Sequence, residues 1–220
     1  MYSCFIGLTN FGEFLVNTIK TGTTTVGIVL KDGVVLASDQ KASMGHLNYD
    51  EEVRKVFPIS DSVAVTIAGS VGDALTVVRY LKSQARLFEM EKNMSMTPRA
   101  AATLLSNILN GNRYYPYLVQ LIIGGISKKP ILFDLDPAGG LLEKKRYAVT
   151  GSGTELALSS LDENFRENLS EEDGVRLAVK AIQAAKKRDV FSGGLSINVV
   201  IITQDGLKEL TPSDVQKYLA

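Results

Sequence analysis

The chain has 220 residues, of which 45% are hydrophobic and 22% are charged. This length fits one large globular domain or two small ones, and the composition excludes disorder, collagen or a coiled coil as a description of the whole. The 24 basic and 24 acidic side chains leave no net charge. Nothing in the composition therefore favours binding to nucleic acid or to an acidic membrane surface, whereas association into an oligomer is permitted.

Cysteine and histidine occur once each, as Cys4 and His46. One thiol cannot form an internal disulfide, and the two side chains are too few for the usual zinc-ligand sets. Residues 1–22 lack the basic start and the continuous apolar run of a signal peptide, and the apolar stretch at 118–126 is too short for a membrane helix. Gly139-Gly140 lacks the context of a phosphate loop. The sequence predicts a cytoplasmic chain without a metal ion or cofactor.

Strands dominate the first part of the chain. The β-branched runs on either side of Asp32-Gly33 predict a hairpin that extends from Thr23 to Asp39. Phe57–Ile59 leads into a further strand at Val63–Ala68, where the alternation of residues predicts that one face is buried and the other exposed.

Four helices are predicted, in two pairs. Apolar residues at intervals of three and four predict the first over about 72–92, and Thr97 before Pro98 predicts the start of the second. The second pair covers about 154–164 and the segment after Ser170, where Asp173 completes a pattern like a capping box.

Further strands are predicted between the helix pairs, at about 117–126, 131–135 and 145–150, and after them, at 196–203 and 207–210. Strands joined by hairpins form antiparallel sheets, and each sheet needs a helical cover for one face. The order of elements therefore predicts a layered α+β sandwich in a single domain.

The residues that point to a function are three consecutive threonines, Thr23 to Thr25, directly after Gly22. Alone, such a run is typical of a solvated strand face. Five further blocks accompany it: Ala37-Ser38-Asp39-Gln40, Arg54-Lys55-Val56, Ile67 to Asp73, Thr150-Gly151-Ser152-Gly153, and Lys187-Arg188-Asp189 with Ser192-Gly193-Gly194. In these blocks and their order, the chain resembles the β-type subunits of the 20S proteasome, especially the archaeal ones, over essentially its whole length.

The resemblance implies the four-layer αββα sandwich of the N-terminal-nucleophile hydrolases and a threonine endopeptidase. A threonine hydroxyl needs a base, and a free α-amino group with a pKa of about 7.7–8.0 is a suitable one. An internal Thr23 has no such amine, so the family's autocatalytic cleavage between Gly22 and Thr23 is implied. Residues 1–22 would then be a removable prosegment and 23–220 a single catalytic domain.

The resemblance also assigns roles by position. Lys55 matches the active-site lysine, Asp39 the carboxylate that holds it, and Gly69 the main-chain oxyanion donor. The polar residues expected around the terminal amine are Ser152, Asp189 and Ser192. Taken singly, each of these residues also fits an ordinary structural role.

Substrate binding is expected beside these residues. Ser43 matches a position whose main chain pairs with an extended substrate, which gives affinity with little dependence on sequence. The residues expected to form a side-chain pocket are Ala42, Val53, Ile67, Val71 and Leu75. Because most of them are apolar, cleavage after hydrophobic residues is predicted, although ordinary core packing explains each of them equally well.

The partners implied are α subunits and other β subunits in heptameric rings, a four-ring barrel, polypeptide substrates and an ATPase regulator that docks on the α ring. The main alternative is a β-ring scaffold subunit that keeps its prosegment. The shorter bacterial two-ring proteases and the small-molecule amidohydrolases of the same superfamily fit the sequence less well.

Overall fold

The computed structural model describes residues 22–219, and within this range the chain forms twelve strands and five helices. The strands are β1 (Thr24–Val29), β2 (Gly33–Asp39), β3 (Ala42–Met44), β4 (Leu47–Asp50), β5 (Val56–Ser60), β6 (Val63–Gly69), β7 (Val119–Ile126), β8 (Pro130–Leu135), β9 (Leu141–Lys144), β10 (Tyr147–Gly151), β11 (Ile197–Thr203) and β12 (Gly206–Glu209). The helices are α1 (Val71–Lys92), α2 (Pro98–Gly111), α3 (Thr154–Asn164), α4 (Glu171–Arg188) and α5 (Pro212–Gln216). The predicted α+β class is confirmed. Cys4 and all of the predicted prosegment except Gly22 lie outside the described residues.

Two five-stranded sheets carry the fold. The first has the strand order β10-β1-β2-β11-β12 and the second the order β5-β6-β7-β8-β9, and all of these pairings are antiparallel. The predicted hairpin is present as β1 and β2, with Val29 opposite Val34. A separate small hairpin consists of β3 and β4.

Buried side chains form three groups. One lies between the first sheet and the helices α3 and α4, a second between the second sheet and the helices α1 and α2, and a third between the two sheets. Each sheet therefore has apolar contacts on both faces. The expectation that Val63–Ala68 is only half-buried was wrong: every residue of this segment is buried, because β6 is covered by helices on one face and by the first sheet on the other.

Helix starts follow the predicted signals. The Thr97 hydroxyl accepts a hydrogen bond from the Ala100 main chain at 3.2 Å, and the Ser170 hydroxyl accepts one from the Asp173 main chain at 3.1 Å. These bonds satisfy N–H groups that have no partner inside the helix. The Asp173 carboxylate accepts a bond from the Ser170 hydroxyl itself, at 2.7 Å.

Several boundaries differ from the predicted ones. The strand expected at 117–126 begins only at Val119, the strand at 145–150 begins at Tyr147, and the last strand begins at Gly206. The elements that were not predicted are β3, β4, β9 and α5. None of the helices in residues 22–219 combines the length and the apolar character that a membrane crossing requires.

Candidate active site

A cleft of about 350 Å³ lies where the start of β1 meets the end of β6. Thr23, Lys55 and Gly69 all line it, so three residues that are far apart in sequence share one surface. The residues expected to bind substrate also line this cleft: Ala42, Ser43, Val53, Ile67 and Val71. Leu75 is not among the lining residues. The cleft therefore combines a hydroxyl, a cation, a main-chain turn and apolar walls.

Thr23 precedes β1 and is only 5% exposed. Its hydroxyl donates a hydrogen bond to the Gly22 carbonyl oxygen at 2.7 Å. Its main-chain N–H donates to the Ser152 hydroxyl at 3.3 Å, and its carbonyl oxygen accepts a bond from the Ser152 N–H at 2.8 Å. Ser152 therefore fixes the main chain of Thr23 from both sides.

Asp39 and Lys55 form a buried ion pair beside this threonine. Asp39 is fully buried, and its Oδ1 lies 2.8 Å from the Lys55 Nζ. The carboxylate also accepts main-chain bonds from Thr24 at 3.0 Å, Lys41 at 3.1 Å and Gly193 at 2.9 Å. Four donors thus surround this carboxylate, and these bonds hold Asp39 in place against the Lys55 ammonium.

The Lys55 ammonium is held by two acceptors, Asp39 and the Lys41 carbonyl oxygen, which lies 2.6 Å away. Its third proton is available to a group in the cleft. Burial lowers the pKa of Lys55 below its ordinary value, and the charge of Asp39 offsets part of that decrease. The Lys55 main chain is fixed by the Asn198 side chain, which accepts its N–H at 3.0 Å.

A series of hydrogen-bonded side chains begins at the Thr23 nitrogen, which donates to the Ser152 hydroxyl. Ser152 and Ser192 both donate to Oδ2 of Asp189, at 2.5 and 2.6 Å. Since the Ser192 proton is used in this way, the Thr24 hydroxyl, 2.6 Å away, is the donor in its contact with Ser192. The three residues predicted around the amine are thus brought together at one carboxylate, next to Thr23.

Glycine is required at two positions of the site. Gly69 has a φ angle of 109°, and a Cβ atom there would lie 2.2 Å from the Leu118 carbonyl oxygen. A Cβ atom on Gly22 would lie 1.7 Å from Cβ of Phe191. A side chain at either position would displace the main chain on one side of the cleft.

The site also contains residues that were not predicted. Thr24, Asn198 and the Lys41 carbonyl group each hold a predicted residue in place. Thr24 belongs to the threonine run, but a strand start rich in threonine does not reveal which side chains are buried. All three threonines of the run are buried rather than solvated. Residues 22–219 contain no group of three His, Cys, Asp or Glu side chains suited to a metal ion.

Comparison with known proteins identifies the family. The model of a family described as "Proteasome subunit" matches residues 19–202. Proteasome subunit beta 1 of Pyrococcus furiosus is 50% identical over 190 residues, which are 86% of this chain and 96% of the relative. The chain belongs to the β-type proteasome subunits. Proteasome subunit beta of Methanosarcina mazei is 48% identical over 200 residues (90% and 95%), and that of Methanocaldococcus vulcanius is 46% identical over 205 residues (92% and 91%).

The proteasome subunits are a family of proteases. The six sequence blocks predicted that the chain resembles this family, and the comparisons confirm it. All seven residues expected in the chemistry are connected in the structure. Thr23, Lys55 and Gly69 share the cleft, Asp39 is bonded to Lys55, and Ser152 contacts the Thr23 nitrogen and is linked through Asp189 to Ser192.

Proposed function

We propose that the chain is a threonine endopeptidase that cleaves unfolded polypeptides inside a barrel-shaped chamber. The observation that carries this proposal is the position of the Thr23 hydroxyl, in one cleft with Gly69 and with a lysine that is buried against Asp39. A nucleophile, a cation and a main-chain donor are the groups that acyl transfer requires.

The proposed reaction uses each group once. The freed Thr23 amine accepts the hydroxyl proton while Oγ1 bonds to the substrate carbonyl carbon. The Gly69 N–H and the Lys55 charge stabilise the negative oxygen that develops, and one such main-chain donor contributes about 3–4 kcal/mol in related oxyanion holes. The carbon–nitrogen bond then breaks, the leaving amine takes the proton, and water hydrolyses the ester on Thr23 to release the second product.

The amine must first be produced, and we propose that the chain does this itself. The contact between the Thr23 hydroxyl and the Gly22 carbonyl group supports this step, because it places the nucleophile next to the bond to be cut. Attack on the Gly22 carbon transfers the acyl group from nitrogen to oxygen. Water then releases residues 1–22 with a carboxylate at Gly22 and leaves Thr23 as the first residue of the catalytic domain, 23–220.

The assembly is proposed on the same basis. The three groups of buried side chains support a four-layer αββα sandwich. The β-subunit relatives support heptameric rings, together with α subunits and other β subunits, in a four-ring barrel, and an ATPase regulator would dock on the α ring. The cytoplasmic location stays a prediction.

The apolar walls of the cleft, formed by Val53, Ile67 and Val71, support a preference for cleavage after hydrophobic residues.

Replacement of the nucleophile tests the proposal. In particles whose only β chain is T23A, we expect peptide hydrolysis to fall by about 10³-fold or more and the prosegment to remain attached. T23S keeps a hydroxyl and should retain part of both activities. T76A, a matched change on the exposed face of α1, should leave both unchanged. Hydrolysis by T23A particles would contradict the proposal, and a wild-type chain that stays full-length and inactive would instead support a scaffold role.

A further inference from the structure

Three buried threonine hydroxyls form a hydrogen-bonded group that the proposed reaction does not use. Thr25, Thr66 and Thr150 are 0%, 0% and 4% exposed. The Thr66 hydroxyl donates to the Thr25 hydroxyl at 2.9 Å, and the Thr25 and Thr150 hydroxyls are 2.7 Å apart. The Ile122 main-chain N–H donates to the Thr66 oxygen at 3.3 Å. We call these three residues the threonine clamp.

The threonine clamp joins the two sheets. Thr25 on β1 lies directly opposite Thr150 on β10 in the first sheet, whereas Thr66 belongs to β6 in the second. The neighbours of Thr25 and Thr66 along the strands, Val26 and Val65, pack against the helices. Because side chains alternate along a strand, the threonines point into the layer between the sheets. That layer is otherwise filled by apolar side chains.

Each member of the clamp is close in sequence to a group of the candidate site. Thr25 is two residues after Thr23, Thr66 is three residues before Gly69, and Thr150 is two residues before Ser152. A strand advances about 3.3 Å per residue, so these separations correspond to about 7–10 Å of main chain. The clamp therefore connects the strand that carries the nucleophile to the strand that carries the proposed oxyanion donor.

Hydrogen bonds and apolar contacts fix geometry differently. Apolar burial has no preferred direction, so it does not by itself select one orientation between two sheets. Hydrogen bonds weaken steeply with angle and distance. The Ile122 N–H donates to Thr66 and the Thr66 hydroxyl donates to Thr25, while either hydroxyl can donate in the contact between Thr25 and Thr150.

We propose that Thr25, Thr66 and Thr150 are positioning residues that set the distance between the Thr23 hydroxyl and the Gly69 N–H. The proposal rests on the proposed function, since it concerns the turnover of that site. A displacement of about 1 Å in an active site can lower the rate by about 10²-fold. The clamp then affects the rate of the chemical step rather than the binding of peptide.

The test compares T66V with T66S in assembled particles. Valine keeps the shape and removes the hydroxyl, whereas serine keeps the hydroxyl. For T66V we expect kcat, measured per chain that starts at Thr23, to fall by about 10- to 100-fold. KM should stay within about twofold, and removal of the prosegment should slow by a similar factor. T66S should restore both rates.

Two further variants separate positioning from stability. T25V/T66V/T150V replaces the whole clamp with an apolar layer, so no unpaired hydroxyl group remains, and we expect a melting temperature close to that of the wild type with a low kcat. V200A removes apolar volume from the same layer on β11, and it should lower the melting temperature without lowering kcat per mature chain. If T66V does not assemble, T150V on the edge strand β10 replaces it in the same comparison.

The outcomes distinguish the two proposals. The clamp proposal is wrong if T66V or the triple variant has the same kcat per mature chain as the wild type. It is also wrong if only KM changes, or if T66S does not restore the rates. These results would leave the proposed function intact if T23A is inactive. If T23A particles retain activity, the proposed function itself fails.

Discussion

At the scale of single residues, Lys55 is the buried charged group that lines the cleft together with Thr23. A buried ammonium group is costly unless it is paired, and Asp39 provides that pair with no exposed surface of its own. Removing only Asp39 would leave a buried unpaired cation, whereas removing only Lys55 would leave a buried anion. Each change is expected to cost about 3–5 kcal/mol of stability in addition to its effect on the reaction.

The lowered pKa of Lys55 predicts an alkaline limit to activity. A lysine is charged below its pKa and neutral above it, so this cation is lost at a lower pH than an ordinary lysine, whose pKa is 10.5. With increasing pH, we expect kcat/KM to rise as the Thr23 amine loses its proton. It should then fall as Lys55 loses its proton, and the midpoint of this fall should lie below pH 10.5. In K55R the cation persists above about pH 12, so the alkaline fall should move upward although the overall rate is lower.

The measurement is the pH dependence of kcat/KM for both enzymes between pH 6 and 11, with circular dichroism to confirm that the fold persists. If K55R is active and its alkaline fall coincides with that of the wild type, another group is responsible for the limit.

Thr24 provides a second prediction at this scale. Its hydroxyl donates to Ser192, and Ser192 donates to Asp189. Asp189 also accepts a bond from Ser152, which contacts the Thr23 nitrogen. In T24V the Ser192 oxygen loses this donor, so we expect kcat to fall by about tenfold, as for a single lost hydrogen bond of about 1 kcal/mol or slightly more. T24S should retain most of the rate. Steady-state kinetics on mass-verified mature chains measure the effect, with T203V at the end of β11 as the matched control.

At the scale of elements, the short helix α5 depends on its cap. The Thr211 hydroxyl accepts a bond from the Asp214 main chain, and the Asp214 carboxylate binds the Thr211 main chain and Lys217. The bonds from Lys217 and Thr211 lower the pKa of Asp214 from 3.8 to about 2. A carboxylate whose pKa is lowered by folding stabilises the folded helix fully at any pH above its pKa in the unfolded chain, which is about 3.9. This stabilisation is lost as the pH falls through the folded pKa of about 2.

Val215 is the buried residue of α5, and its N–H donates to the Thr211 carbonyl oxygen at 3.0 Å. We therefore expect this amide to keep its protection from hydrogen exchange at pH 5 and to lose it progressively between about pH 4 and 2. In D214N the protection should be reduced at pH 5 and should no longer change over this range. Equal protection in wild type and D214N at pH 5 would contradict the assigned role of the cap.

The sequence predicts the long elements well, because their signals are local. Apolar spacing places α1 within one residue, and hydroxyl caps place the starts of α2 and α4. In the hairpin of β3 and β4, β4 is exposed and the three residues of β3 are at most half-buried, so there is no apolar alternation to detect. The helix α5 has only five residues, too few for a periodic pattern. The complete burial of β6 depends on the first sheet, which no local pattern encodes.

The same reasoning applies to the site. Its predicted residues came from a family resemblance, since Asp39 and Lys55 are 16 positions apart and only the fold joins them. The resemblance did not include the bond from Thr24 to Ser192 or the bond from Asn198 to Lys55, which span 168 and 143 positions. Such contacts follow from the packing of complete sheets, and a single sequence does not specify them.

At the scale of the whole molecule, the candidate site depends on both sheets at once. Thr23 directly precedes β1 of the first sheet and Asp39 ends β2 of the same sheet, whereas Gly69 ends β6 of the second. Ser152 lies just before α3, and Asp189 follows the end of α4. Because these elements meet only in the complete fold, the site requires both sheets to be packed together. A self-cleaving chain would therefore remain inactive until it has folded.

The central claim is that cleavage before Thr23 frees the amine that activates its hydroxyl. The most direct test is the intact mass of the β chain in particles that degrade a polypeptide through this subunit. The account predicts a chain that has lost residues 1–22 and begins at Thr23. A full-length chain in such active particles, with the Thr23 nitrogen still in a peptide bond, would contradict it.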